Sequence, residues 1–224
     1  MSYVHYSSES LNEDKHISNM SSFPIIGVGA SAGGLEALTE FAGALDASCR
    51  AAYVVVQHFS PQSHSILPEL LSSRTSLHVE EATDGTVIRS GVIYVIPAGT
   101  VMTVDDGHLK ICPRNKTVLT PHPIDRLFES LADEEGRNAI GILLSGTGND
   151  GASGLRCIKS AGGLTLAQDE ASSKFFEMPK AAIDLDAVDH VLPPDKIAKE
   201  VVHLISHPYF SLPHSETEPD FPLG

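Results

Sequence analysis

Short runs of consecutive apolar residues alternate with helical patterns through the middle of the 224-residue chain. Runs of this length without polar alternation are typical of strands that are buried on both faces of a sheet. Four runs have this character, at Pro24–Gly29, Ala51–Gln57, Asn138–Ser145 and Leu164–Gln168.

Amphipathic stretches with the period of a helix lie between and after those runs. They span Leu35–Leu45, Ile66–Ser73, Ile124–Glu135 and Ala152–Ala161, and a last one lies near Lys196–Ser206. Strands that alternate with helices are joined by right-handed crossovers, which keep neighbouring strands parallel. The sequence therefore predicts a doubly wound α/β fold with a mostly parallel sheet.

The region from Thr86 to Cys112 breaks this rhythm, because its pattern is strand-like without an intervening helix. Asp106 and Gly107 lie between the segments VMTVD and HLKIC, and Asp-Gly between two such segments favours a tight hairpin turn. We expect a short antiparallel hairpin at one edge of the sheet.

The two ends of the chain differ in composition from the part between them. Residues 1–22 are Ser-rich and polar without a period, which predicts a disordered arm. Residues 206–224 contain several prolines among Ser, His and acidic residues and are expected to form a Pro-rich tail or linker. A single folded domain is expected over residues 23–205.

The charge of the chain excludes some classes of partner. Lys and Arg total 15 against 29 Asp and Glu, a formal net charge of −14 at pH 7. Nucleic acids and anionic membrane surfaces attract the opposite sign, so neither is expected as a partner. The three cysteines lack C-x-x-C spacing, and no leader or membrane-spanning segment is evident, so we expect a cytoplasmic protein without membrane insertion.

The glycine-rich turn after the first predicted strand allows two interpretations. Gly27, Gly29 and Ala32 fit the G-x-G-x-x-A pattern of dinucleotide-binding turns. That pattern also needs an acidic residue at the end of the second strand, where this chain has Gln57 and His58. Dinucleotide binding is therefore the weaker interpretation, and no cofactor is expected.

The second interpretation is a nucleophile turn, because Gly29 to Gly33 reads G-x-S-x-G around Ser31. The N-terminus of the following helix would offer free N–H groups to an oxyanion. Alternatively, Ser31 only caps that helix. A serine hydroxyl needs a base to become a nucleophile, so the choice depends on a suitable histidine and carboxylate.

Both residue types occur at the ends of predicted parallel strands. His58 directly follows the second apolar run, whereas His122 follows none and is set aside on that ground. Asp150 lies in the segment LLSGTGNDG, where a predicted buried strand turns into a helix. Its alternative role is an N-cap of that helix. Ser31, His58 and Asp150 would supply nucleophile, base and orienting carboxylate. Their chain order differs from the Ser, Asp, His order of α/β-hydrolases.

Four segments carry a resemblance to a known family: GVGASAGGLEAL, VVVQHFSP, LLSGTGNDGASGL and GLTLAQDEASSKFFEMPKAA. Together they resemble the CheB-type protein-glutamate methylesterase domain, over about residues 23–205. The resemblance implies Ser31, His58 and Asp150 as catalytic residues on a doubly wound α/β sheet with an antiparallel edge. It also implies hydrolysis of glutamate methyl esters on chemoreceptor helices, with release of methanol and, in some members, glutamine deamidation.

Three positions depart from the usual pattern of the chemotaxis members. Ala32 follows the serine where Thr is usual, Thr147 stands where Met is common, and Glu177 precedes Met178 where Gly is usual. The first two features are similar to methylesterase domains of CheB–CheR hybrid sensory proteins. These departures change side chains that would line the site, where they bear on the rate and the substrate choice. The candidate oxyanion or substrate-binding residues are Ala32, Gly33, Thr147, Gly148 and Met178.

The departures also motivate an alternative of another class, a non-catalytic docking module in a sensory pathway. A metallohydrolase is disfavoured because H-E-x-x-H and clustered His/Asp spacings are missing, so no metal is expected. The resemblance implies methylated chemoreceptor or sensory-protein helices as partners. A CheR-type methyltransferase or a receiver domain is a further candidate, in trans or in a longer parent chain.

Overall fold

The computed structural model describes residues 23–58, 66–114 and 122–205. The predicted polar arm at 1–22 and the predicted tail at 206–224 lie outside the described residues. The strands are β1 (Ile25–Ala30), β2 (Ala52–Gln57), β3 (His78–Glu81), β4 (Val92–Val95), β5 (Thr100–Asp105), β6 (His108–Pro113), β7 (Ile140–Leu143), β8 (Leu164–Gln168) and β9 (His190–Leu192). The helices are α1 (Gly34–Gly43), α2 (Leu67–Ser72), α3 (Pro123–Glu135), α4 (Ala152–Ser160), α5 (Glu177–Asp184) and α6 (Pro194–Ile205).

Seven strands form one sheet in the order β3-β4-β2-β1-β7-β8-β9. Every neighbouring pair in it is parallel. The order reverses at β1, which lies between β2 and β7. In doubly wound sheets the crevice outside the carboxyl ends of the strands at such a reversal is the usual ligand site. The predicted α/β fold and mostly parallel sheet are confirmed.

Successive residues of the central strands contribute to two separate cores, one on each face of the sheet. Ile25 packs with the core that contains α3, α4 and α5, and Ile26 packs with the core of α1, α2 and α6. All residues of β1 and β2 are buried, which explains their continuous apolar sequence.

The predicted hairpin is confirmed as β5 and β6, paired antiparallel with Val104 opposite Leu109. Asp106 and Gly107 both have positive φ, 48° and 68°, as the tight two-residue turn between hairpin strands requires. The expected place of the hairpin at an edge of the main sheet is wrong, because it forms a separate two-stranded sheet and the edges of the seven-stranded sheet are β3 and β9. The hairpin packs on α3, where the Ser130 hydroxyl accepts a hydrogen bond of 3.0 Å from the Val104 N–H.

The glycines of β1 allow α3 to approach the sheet closely. A Cβ on Gly27 would lie 2.6 Å from Leu131 Cδ1, and one on Gly29 would overlap Ile124. These contacts account for the G-x-G spacing by packing of a helix against the strand. The dinucleotide interpretation therefore loses its main support.

Candidate active site

The turn between β1 and α1 holds Ser31 by its backbone. The Ser31 N–H donates to the Ser145 carbonyl over 3.0 Å, and the Ser31 carbonyl accepts from Gly34 N–H over 2.9 Å. Gly33 has φ of 72°, and a Cβ there would lie 2.8 Å from Ser145 Oγ. The G-x-S-x-G pattern thus reflects a turn in which only glycine fits before the helix.

Ser145 fixes this turn to the neighbouring strands, and sequence reasoning did not single it out. The residue is 1% exposed, and its hydroxyl lies 3.0 Å from the Ala32 carbonyl and 3.2 Å from the Phe175 carbonyl. That hydroxyl also accepts from Phe175 N–H over 3.0 Å. Ser145 N–H donates to Gln168 Oε1 over 2.8 Å, which links β7 to β8. These contacts cross between distant segments, so no local pattern marks them.

Ser31, His58 and Asp150 form a continuous chain of hydrogen bonds at the carboxyl ends of β1, β2 and β7. Ser31 Oγ lies 3.1 Å from His58 Nδ1, and His58 Nε2 lies 2.7 Å from Asp150 Oδ2. His58 N–H donates to the Ala30 carbonyl over 3.1 Å, which continues the β1–β2 pairing and keeps the ring beside the serine. The sequence-predicted triad residues are therefore brought together.

The orientation of the His58 ring determines which nitrogen faces the serine and which faces the carboxylate. The ionised Asp150 accepts from Nε2–H, so Nδ1 carries the lone pair that faces the Ser31 hydroxyl. In the chymotrypsin-type arrangement the serine faces Nε2 and the aspartate faces Nδ1. In this site the two ring nitrogens have exchanged those roles. The lone pair on Nδ1 can accept the serine proton here, as the lone pair on Nε2 does in the chymotrypsin-type arrangement.

Asp150 is 5% exposed and has three hydrogen-bond donors around it. Besides His58, the N–H groups of Ile124 and Asp125 donate to Oδ2 and Oδ1 over 3.1 and 2.9 Å. Burial acts to raise the pKa of Asp150, but these hydrogen bonds outweigh it and hold the pKa below its ordinary value. The carboxylate therefore stays ionised opposite the imidazole.

The alternative role of Asp150, as the N-cap of the helix that follows it, is wrong for that helix, α4. Gly151 is the N-cap residue of α4, and it has no side chain of its own that could cap the helix. Asp150 instead caps α3, whose first N–H groups it accepts. Asp125, which lies in α3, in turn caps α4. Its Oδ1 accepts from Gly151 and Gly154 N–H over 2.9 and 2.8 Å at the start of that helix. The two carboxylates thus cap each other's helices.

His122 lies beside this pair of carboxylates, although sequence reasoning had set it aside. Its Nδ1 is 3.5 Å from Asp125 Oδ2 and 3.6 Å from Asp150 Oδ1. Within the described residues these three form the one group spaced to hold a metal ion, with ligand atoms within 4.8 Å of one another. Asp125 Oδ1 and both Asp150 oxygens already accept N–H hydrogen bonds, so a cation would compete with two helix caps.

The predicted oxyanion donors belong to two segments of the chain. Ala32 and Gly33 follow Ser31 in the turn, and Thr147 and Gly148 lie in the exposed loop after β7. Across the described parts of the chain, nothing accepts a hydrogen bond from the backbone N–H of these four residues. The groups are therefore free to bind an anion, and their role as oxyanion donors stays a prediction.

Met178 lies behind the nucleophile, and its side chain is fully buried. Its N–H donates to the Gly146 carbonyl over 3.0 Å. A Cβ on Gly146 would lie 2.6 Å from Met178 Cε and 2.9 Å from Ser31 Cβ. Met178 thus packs closely against Gly146, which also lies beside Ser31, and direct contact between Met178 and a substrate stays a prediction.

Comparison with known proteins gives a consistent result. Residues 26–201 match the CheB methylesterase family. A protein-glutamate methylesterase/protein-glutamine glutaminase from Anaeromyxobacter dehalogenans is 38% identical over 180 residues, which cover 80% of this chain and 53% of that protein. One from Geobacter sulfurreducens is 35% identical over 188 residues, covering 81% and 52% respectively. The chain spans about half the length of these curated relatives.

A solved structure agrees with the sequence matches. The crystal structure of the Thermotoga maritima CheB methylesterase catalytic domain superposes with a TM-score of 0.75 at 29% identity. The match covers 82% of this chain and 100% of that domain. No helix in the described ranges is both long and apolar enough to cross a membrane.

Proposed function

The chain belongs to the CheB methylesterase family, and from that premise we propose that it acts as a protein-glutamate methylesterase. The reaction is hydrolysis of a glutamate methyl ester to glutamate and methanol. The observation that carries the proposal is the unbroken hydrogen-bond chain from Ser31 Oγ through the His58 ring to Asp150. We assign the catalytic domain to residues 23–205, which enclose the family match at 26–201.

In the first step Ser31 Oγ attacks the ester carbonyl while His58 Nδ1 takes its proton. Asp150 stabilises the imidazolium that forms, because its ionised carboxylate accepts from Nε2–H. The tetrahedral intermediate collapses as Nδ1–H gives its proton to the departing methoxide. Methanol leaves, and the glutamyl group is held as an ester of Ser31.

In the second step a water molecule attacks the glutamyl ester, and His58 Nδ1 again takes the proton. The bond from the carbonyl carbon to Ser31 Oγ breaks, and the proton passes from Nδ1 to the serine. The enzyme returns to its starting state with free glutamate on the substrate. Each step uses His58 once as a base and once as an acid.

The free N–H groups near Ser31 support an oxyanion hole. Ala32 and Gly33 precede α1, and the positive end of that helix adds to the field at the carbonyl oxygen. Thr147 and Gly148, in the loop after β7, are the other candidate donors. Each donor that contacts the oxyanion would lower the barrier by about 3 kcal/mol.

Glutamine deamidation is a second reaction that the same residues support. The curated relatives are named protein-glutamine glutaminases as well as methylesterases. In that reaction His58 would protonate the amide nitrogen of the substrate, which leaves as ammonia where the ester releases methanol, and the acyl-enzyme would be the same. The final product is again glutamate.

We propose methylated chemoreceptor-like helices as substrates, in the cytoplasm. Cys112 and Cys157 are exposed free thiols, which suits a reducing compartment. A CheR-type methyltransferase or a receiver domain, in trans or in a longer parent chain, is the proposed regulatory partner. The net charge of −14 favours release of the anionic product over the neutral ester.

The alternative function is a docking module without catalysis. The departures at Ala32, Thr147 and Glu177 motivate it, but they leave the three triad side chains unchanged. A docking surface needs no histidine held between a serine hydroxyl and a buried carboxylate. The hydrolase is therefore the better supported function.

Methanol release from a peptide that carries a glutamate methyl ester tests the proposal. Ser31→Ala removes the nucleophile, so the rate is expected to fall by about 10³-fold or more. Ser72→Ala is the matched control, since the hydroxyl of that exposed serine, among the described residues, donates only to the carbonyl of Pro68 in α2. Methanol release by Ser31→Ala at the rate of the unmodified protein would refute the proposal.

A further inference from the structure

An exposed aromatic ring lies beside the nucleophile turn. Phe175, in the loop between β8 and α5, has 37% of its surface exposed. A Cβ on Gly33, which follows Ser31 in the turn, would lie 3.2 Å from Phe175 Cδ2. Single exposed apolar residues are common on protein surfaces, so exposure alone does not mark a site. The location of this ring, against the turn that carries the nucleophile, is what sets it apart.

The backbone of Phe175 is fixed to the segment that also holds Ser31. Its N–H donates to Ser145 Oγ over 3.0 Å, and its carbonyl accepts from Gly146 N–H over 2.9 Å. The Ser145 carbonyl in turn accepts the Ser31 N–H over 3.0 Å. The ring and the nucleophile are therefore held in a fixed relation. A ring that is already in place loses little entropy when a ligand packs on it.

The residues before Phe175 are held by contacts within the loop and to α1. Ser172 N–H donates to Asp169 Oδ1 over 3.1 Å. Lys174 Nζ donates to Glu36 Oε1, in the first turn of α1, over 3.2 Å. The loop therefore lies along the start of α1, and the exposed part of the Phe175 ring borders the turn between β1 and that helix.

His58 and Phe175 lie on different sides of the nucleophile. The strand β1, which leads into Ser31, lies between β2 and β7. His58 follows β2, and its ring bonds to Asp150, which caps α3 on one face of the sheet. Phe175 bonds to the residues after β7, and its ring lies beside the start of α1 on the other face. The leaving group must lie near His58 to receive its proton, so the acyl chain takes another direction from the carbonyl carbon.

We propose that Phe175 is a substrate-binding residue that packs on the acyl side of the ester, against the methylenes of the glutamyl side chain and the adjoining face of the substrate helix. The glutamyl side chain is short, so the substrate helix must come close to the residues that border Ser31. Burial of apolar substrate surface on the ring favours binding. The inference rests on the proposed function, because it takes the substrate to be a glutamyl ester on a helix.

Binding to a variant that lacks the nucleophile tests the contact directly. The probe is an alanine-rich helical peptide that carries one glutamate methyl ester, and the protein is Ser31→Ala. Addition of Phe175→Ala should raise the Kd for the peptide about tenfold, because apolar contact area is lost. Addition of Phe175→Leu, which keeps a large apolar side chain, should raise it by no more than about threefold. Leu185→Ala is the matched control, since that exposed side chain follows the far end of α5, and it should leave the Kd unchanged.

Kinetics with Ser31 present separate a binding role from a structural one. Phe175→Ala should raise KM for methanol release from the peptide and leave kcat within about twofold, because the ring binds the ground state and the transition state alike. The same variant should hydrolyse p-nitrophenyl acetate at the unmodified rate, since an acetyl group has no chain that reaches the ring.

Three results would overturn the inference. Slower hydrolysis of p-nitrophenyl acetate by Phe175→Ala would mean that the ring supports the nucleophile turn and not the substrate. An unchanged Kd after addition of Phe175→Ala, or no binding of the peptide by Ser31→Ala at all, would mean that the substrate does not contact the ring. If the unmodified protein released no methanol while Phe175→Ala still weakened peptide binding, the proposed function would fail and the contact would be supported.

Discussion

Ser31 is positioned by backbone contacts more than by its own side chain. Its N–H is held by the Ser145 carbonyl, and its Cβ packs near Gly146. The hydroxyl is then left free to donate to His58. A residue such as Gly146, which has no functional group, therefore decides where the nucleophile lies.

Gly146→Ala tests this dependence at the residue scale. The new methyl group would crowd Ser31 Cβ at 2.9 Å and Met178 Cε at 2.6 Å, so the serine must shift. A displacement of this kind is expected to lower kcat for methanol release by about 10²-fold, while the protein stays folded by circular dichroism.

The control for that substitution is Gly43→Ala. The nearest atom to a Cβ at Gly43 is the Arg74 carbonyl oxygen at 3.6 Å, an ordinary contact. The Gly43→Ala variant should release methanol at the rate of the unmodified protein. Equal activity in both variants would mean that Ser31 does not depend on the close approach of Gly146.

At the scale of elements, α3 and α4 are joined by their exchanged caps. Asp150 accepts the first N–H groups of α3, and Asp125 accepts those of α4. Pro123 at the start of α3 lacks an N–H, which leaves the next two to Asp150. The helix pair therefore holds the triad carboxylate in place.

Asp125→Ala is expected to destabilise the fold because two buried N–H groups of α4 lose their acceptor. The free energy of unfolding should fall by about 1–3 kcal/mol in urea denaturation. Asp133→Ala, at an exposed position of the same helix, is the control and should change it little. No difference between the two variants would contradict the capping role of Asp125.

The elements that sequence patterns predict are those with a buried core face. The structure confirms that the four apolar runs form β1, β2, β7 and β8. It also confirms that the five amphipathic stretches form helices. The pattern missed β3 and β9, which are the two edges of the sheet and are short and partly exposed. It also missed α5, where Pro179 lies in the first turn of the helix, a position that tolerates proline. The strand β4 was expected in the antiparallel region but pairs parallel with β2.

At the scale of the whole molecule, the parallel sheet determines which distant residues meet. The carboxyl ends of β1, β2 and β7 are adjacent, so residues that follow these strands could be predicted to converge. His122 precedes a helix, and its approach to Asp150 depends on how α3 packs against α4. No local pattern in the sequence encodes that packing, and the same holds for Ser145 and Gln168.

The most direct test of the hydrogen-bonded triad of Ser31, His58 and Asp150 is the rate and position of covalent labelling by a fluorophosphonate in the intact chain. Mass spectrometry should find one adduct, on Ser31, in the unmodified protein. His58→Ala and Asp150→Asn should label at least about 10²-fold more slowly, whereas His78→Ala should label at the original rate. Labelling at another residue, or at an undiminished rate without His58, would contradict the account.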